Sequence, residues 1–157
     1  MKSNLIVFHS RTGFTRTVAE TLARHIDADV EEIIAENQKD GLRAYLSAGW
    51  AALTRKPVPI KTPQRQARLY PLVIIGGPNW AGHISAPMLS WLDRQGTELE
   101  NYAAFVTQGG SGAEKVLQQL EDEIGRAPAA ILILTDDEIK ADDYNAKIKT
   151  FARQLTG

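Results

Sequence analysis

The chain of 157 residues contains no cysteine. That one absence excludes disulfide cross-links, thiol nucleophiles, dithiol redox centres and iron–sulfur ligation. Any redox chemistry must therefore reside in a bound cofactor. Histidine is scarce too: His9, His25 and His83 lie far apart and lack a zinc-type H-E-x-x-H spacing, so no metal site is expected. Neither sign of charge dominates. The formal net charge is -1, which leaves no basic footprint, and nucleic acid is not an expected partner. No apolar run approaches the roughly 18 residues that cross a bilayer. The short run Leu5-Ile6-Val7-Phe8 behind Met1-Lys2-Ser3-Asn4 is smaller than the core of a secretory signal. The expectation is a cytoplasmic protein with no membrane association. Two nucleotide signatures are missing as well: no G-x-G-x-x-G follows the first apolar run, which disfavours a dinucleotide fingerprint, and no G-x-x-x-x-G-K-[ST] occurs.

What is present is ordinary for a globular protein, with 43% hydrophobic and 24% charged residues. The length suits one core built without cross-links, and a single domain over 1–157 is expected.

The most informative stretch is Ser10-Arg11-Thr12-Gly13-Phe14-Thr15, which joins the first apolar run to an amphipathic helix pattern. The first N–H groups of a helix have no partner inside it, the helix dipole adds partial positive charge there, and hydroxyls supply further donors. An anion suits such a turn. The same residues also read as a helix cap, with Thr12 or Thr15 satisfying the orphan N–H groups and Gly13 permitting the turn.

Strands are expected over 4–9, 30–34, 72–75, 103–106 and 130–134. The second of these carries Glu31 and Glu32, which suggests an edge. Helical spacing marks 15–26, 41–54, 87–96, 113–124 and 142–155. Trp50 lies on the apolar stripe of the second helix, which must end before Pro57 and Pro59, whereas Ser85 is placed to cap the third. Asp136, Asp137 and Glu138 read as a solvated connection after the fifth strand. Strands alternating with helices indicate an α/β fold with a doubly wound parallel sheet, and right-handed crossovers permit the strand order 2-1-3-4-5. Ligand then sits beyond the carboxyl ends of strands 1 and 3, where the loops 10–15, 77–83 and 107–112 converge. Gly76, Gly77, Gly82, Gly109, Gly110 and Gly112 would let backbone approach a planar ring closely, and Trp80 offers a stacking face. Glycines in such positions also serve tight strand-to-helix turns.

The first loop resembles the S/T-x-T-G-x-T phosphate loop of flavodoxins. Gly76-Gly77-Pro78-Asn79-Trp80-Ala81-Gly82 looks like that family's ring-binding loop, and Thr107-Gln108-Gly109-Gly110-Ser111-Gly112 resembles its third loop. The likeness spans all five strand–helix units, and the unbroken fifth strand looks like the short-chain branch. It implies a flavin mononucleotide (FMN) cofactor, with Ser10 to Thr15 on the phosphate and Arg11 assisting. It further implies Pro78, Asn79 and Trp80 beside the ribityl chain and ring, and Thr107, Gln108, Gly109 and Gly110 at the ring edge. The peptide between Ala81 and Gly82 resembles one that reorients in flavodoxins to hydrogen-bond the half-reduced ring. There are two departures from the family pattern: Phe14 stands where asparagine is usual, and the third loop lacks a tyrosine for the second ring face. The resemblance thus implies an electron-transfer protein serving a redox partner protein. The open face keeps an NAD(P)H-dependent quinone or flavin reductase beside it as the alternative. A monomer and a homodimer are both compatible with the sequence.

Overall fold

The structure is a computed structural model, and it describes residues 1–36 and 58–157. The helix expected over 41–54, with Trp50 and Pro57, lies outside the described residues. Five strands form one parallel sheet: β1 (Asn4–Phe8), β2 (Ala28–Glu32), β3 (Leu72–Pro78), β4 (Tyr102–Gln108) and β5 (Ile131–Thr135). Their order is β2-β1-β3-β4-β5, as the alternating pattern predicts. The described helices are α1 (Phe14–Ala23), α2 (Ala86–Gln95), α3 (Ala113–Ile124), α4 (Asp136–Lys140) and α5 (Asn145–Thr156).

Two apolar layers sandwich the sheet, which is why its central strands read as unbroken hydrophobic runs. On one face Leu5, Val7, Val73 and Ile75 pack with Met88, Trp91 and Leu92 of α2 and with Val116 and Leu120 of α3. On the other, Ile6, Phe8, Ile74 and Phe105 pack with Val18 and Leu22 of α1 and with Ile148 and Phe151 of α5. Helices on both faces define a doubly wound sheet.

Three sequence expectations need correction. The second strand runs over 28–32 rather than 30–34, because pairing with β1 sets its limits: Asn4 faces Ala28 and Phe8 faces Glu32. Beyond it, Ile34 accepts from the Lys61 N–H at 2.8 Å, and the chain pairs antiparallel with the returning segment at Ala35 and Ile60. Glu31 and Glu32 do lie on an edge strand, yet both are engaged. Glu31 accepts from the backbone of Gln64 and Arg65, and Glu32 pairs with Arg16. Second, β3 and β4 reach Pro78 and Gln108, so residues that look like loop by composition belong to the ladder, where Pro78 faces Thr107.

The third correction concerns the acidic run. Asp136 to Lys140 form a short helix started by a capping box, in which Thr135 Oγ1 accepts from the Glu138 N–H and Glu138 accepts from the Thr135 N–H. Asp142 follows with φ 54° and breaks the helical path, so the last helix begins at Asn145 rather than at 142. Among the described residues, no helix is long and apolar enough to cross a membrane.

Candidate functional site

The carboxyl ends of β1, β3 and β4 open into a cleft of about 360 Å³. Arg11, Thr12, Phe14 and Thr15 wall one end, Pro78, Asn79, Trp80 and Ala81 a second side, and Thr107, Gln108 and Gly109 the floor and third side. The structure therefore brings the three predicted loops together. Ser10, Gly13, Gly82 and Gly110 are not part of that wall, and Asp136 of α4 is, although the sequence reading placed it in a connection. The Thr135-x-x-Glu138 capping signature directly after the fifth strand was the available signal for it.

At the α1 end, the capping group is neither Thr12 nor Thr15. Gly13 occupies the cap position with φ 97°, and the Ser10 hydroxyl accepts from the N–H groups of Gly13 and Arg16, both at 3.2 Å. Thr15 turns inward, its buried hydroxyl 2.8 Å from that of Thr107, which ties the loop to β4. The N–H groups of Phe14 and Thr15 have no acceptor among the described residues, and they open a helix whose dipole favours an anion. Thr12 is exposed on the same wall.

Trp80 stands at the other end. His9 meets its ring edge-on, with centroids 5.4 Å apart, and the Arg11 guanidinium lies 5.5 Å from its ring centroid. His9 is buried, its Nδ1 3.0 Å from the Ser85 hydroxyl. Burial, reinforced by the nearby Arg11 charge, lowers its pKa to about 4, so the ring is neutral at physiological pH. The Ser85 hydroxyl is thus engaged with His9 and makes no capping bond to α2, although Ser85 does occupy the cap position. Asp136 shifts the opposite way. Desolvation raises its pKa, against an opposing pull from Lys140.

Between the two glycine-rich loops, Asn79 acts as a cross-link. Its Oδ1 accepts from the Gly82 N–H at 2.7 Å, and its Nδ2 donates to the Ser111 carbonyl at 2.9 Å and to Gln108 Oε1 at 3.3 Å. Gln108 Oε1 also accepts from the Ala113 N–H at the start of α3. The amide of Asn79 is consequently committed to protein partners. Residues 80–83 form a tight turn closed by reciprocal backbone bonds between Trp80 and His83, with Ala81 at φ 52° and Gly82 at φ 81°. Both central residues are left-handed, a geometry that costs a residue bearing Cβ about 1–2 kcal/mol and costs glycine little. Asn79 holds the N–H of the peptide between them. Replacing Asn79 with Leu is expected to cost about 2 kcal/mol of stability through the lost bonds and to raise the exchange rate of the Gly82 amide about tenfold. Hydrogen exchange followed by NMR checks this, and unchanged protection at Gly82 would contradict it.

Gly76, which the sequence placed among the glycines near a ring, is not among the residues that line the cleft. A Cβ placed there would lie 2.0 Å from Phe105 Cζ, so the glycine makes room for a core ring.

No family model matches the chain, and no curated protein matches it. Solved structures do. A flavoprotein from Lactobacillus acidophilus NCFM, in complex with FMN, aligns with TM-score 0.73 at 22% identity over 90% of this chain and 98% of its own. A flavoprotein from Bacteroides uniformis aligns with TM-score 0.78 at 17% identity, covering 96% of this chain and 97% of its own. Oxidised flavodoxin 1 from Bacillus cereus aligns with TM-score 0.59 at 15% identity over 98% and 96%. Together with the strand order and two-sided helical cover, these likenesses define a flavodoxin-like fold.

Proposed function

We propose that the cleft binds FMN and that the protein is an electron-transfer flavoprotein. One observation carries this reading: a single cleft joins the open N-terminus of α1 to a Trp80-walled slot, at the switch point of a sheet whose structural relatives include an FMN complex. The residues present suit the group. The unpartnered N–H groups of Phe14 and Thr15 and the Thr12 hydroxyl suit a phosphate, Trp80 suits a flat ring, and Gly109 has no side chain to obstruct one. The volume falls within the range of about 300–1,000 Å³ typical of small-molecule sites. A bound flavin would supply the capacity to take up one or two electrons, and the protein would supply its orientation.

A reductase that uses NAD(P)H with a quinone or a second flavin is the alternative reading. The observation in its favour is that Gly109 presents no side chain on the third side of the cleft, which leaves room for a second planar substrate. A carrier instead engages a redox partner protein there. Purified protein alone separates the two: a reductase oxidises NAD(P)H continuously with a quinone, and a carrier does not.

Titration of the protein with FMN tests the cofactor itself. We expect the visible bands of a bound flavin and quenching of tryptophan fluorescence. Trp80→Ala should weaken FMN by about tenfold and remove most of the quenching, because the contact loses both buried area and ring stacking. Trp91 is fully buried in the core and remains as an internal control. Undiminished quenching in Trp80→Ala would move the ring away from Trp80.

A further inference from the structure

The α1 end of the cleft has few polar side chains to offer a phosphate. Ser10 and Thr15 are engaged within the protein, the Phe14 side chain has no polar atom, and the Arg11 guanidinium reaches toward the Trp80 ring, which leaves the Thr12 hydroxyl. A cation reaches this end from a distant part of the chain. Lys140, the last residue of α4, holds its Nζ 5.6 Å from the ring centroid of Phe14, the first residue of α1. The capping box at Thr135, the burial of Ile139 and the pairing of Glu138 with Lys147 of α5 fix α4 in this position. One turn back on the same helix, Asp136 lines the cleft, and Lys140 stands beside that wall against Phe14.

We propose that Lys140 is a phosphate-recognition residue beside the cleft, adding a full positive charge near the start of α1 and thereby a preference for a flavin phosphate ester over unphosphorylated flavin. The inference rests on the reading that the cleft binds FMN. A phosphate at this position meets the partial charge of the helix N-terminus and, across the face of Phe14, an ammonium on a flexible stem. The aromatic face holds that ammonium near the site by a cation–π contact, and because Lys140 is exposed, little desolvation opposes its move to a ligand. Exposure also means that salt screens the attraction.

The test compares dissociation constants for FMN and riboflavin in wild-type protein, Lys140→Gln, Lys140→Arg and the double variant Asp136→Asn/Lys140→Gln, at about 0.01 M and about 0.5 M salt. Lys140→Gln should weaken FMN about fivefold at low salt and hardly at high salt, leave riboflavin unchanged, and be rescued by arginine. The double variant should keep the loss. Equal losses for both flavins, an unchanged FMN affinity, or recovery in the double variant, which would trace the effect to an uncovered Asp136, each overturn the proposal. Wild-type protein that binds neither flavin overturns the FMN reading and this inference with it. Wild-type protein that binds FMN as tightly as Lys140→Gln does overturns this inference alone.

Discussion

Gly76→Ala should destabilise the protein by about 3 kcal/mol or more, whereas Gly77→Ala, one residue along, should change stability by no more than about 0.5 kcal/mol. Phe8, Gly76 and Phe105 occupy one row across β1, β3 and β4, so their side-chain positions face the same layer of the core. The Phe105 ring leans over Gly76. A methyl group there would lie 2.0 Å from Cζ and 2.4 and 2.5 Å from the two Cε atoms. Phe105 is 1% exposed and packed in the core, so relief would require shifting its ring together with β4 or the packed helices. A Cβ on Gly77 meets nothing within 4 Å. Its only other effect is to restrict the unfolded chain, which slightly favours folding. Urea denaturation of the two variants decides the matter. Phe105→Leu introduced beside Gly76→Ala should recover part of the loss, since the two positions are in contact. Equal stability of the two alanine variants would show that the Phe105 ring is not held where the structure places it.

The second large effect is on acid stability, and it arises at His9. The unfolded chain takes up a proton near the ordinary histidine pKa of 6.5, whereas the folded protein resists protonation until about pH 4, because the imidazole is buried and stands near Arg11. The contribution is fully present above 6.5. As pH falls between the two values, the unfolded state binds more protons and gains stability relative to the native state, and below about 4 the loss levels off. The whole difference amounts to about 3 kcal/mol. Urea midpoints measured from neutral pH down to about pH 4 should therefore fall steeply in wild-type protein. His9→Gln, which keeps a polar partner for Ser85 and has no proton to gain, should show a much shallower fall over that window. Parallel pH profiles for the two proteins would assign the acid loss to other groups. Because folded His9 stays neutral down to about pH 4, its edge-on contact with Trp80 should persist unchanged through that window.

Much of this protein follows from the order of its residues. Runs such as Leu72-Val73-Ile74-Ile75 require a strand buried on both faces, helical spacing such as Val18 and Leu22 requires cover for that strand, and right-handed crossovers leave few strand orders. The convergence of the loops 10–15, 77–83 and 107–112 follows from that topology, since each leaves the carboxyl end of a parallel strand. Local sequence also contains the capping signature of α4, in Thr135 and Glu138. The division of labour inside the loops is another matter. Adjacent glycines Gly76 and Gly77 look alike in the sequence, and only the register with β4 sets Phe105 against the first. Ser10 and Thr15 carry the same hydroxyl chemistry, yet one braces its own turn and the other reaches Thr107 across the sheet. Asn79 lines the cleft, and only the assembled loops show that its amide also binds Gly82, Ser111 and Gln108. Periodicity and turn chemistry act over a few residues and are written along the chain, so they decide the elements and the fold. Which atoms touch depends on strand register and on the packing of segments far apart in sequence, and that is settled only when the whole sheet and its helices are assembled.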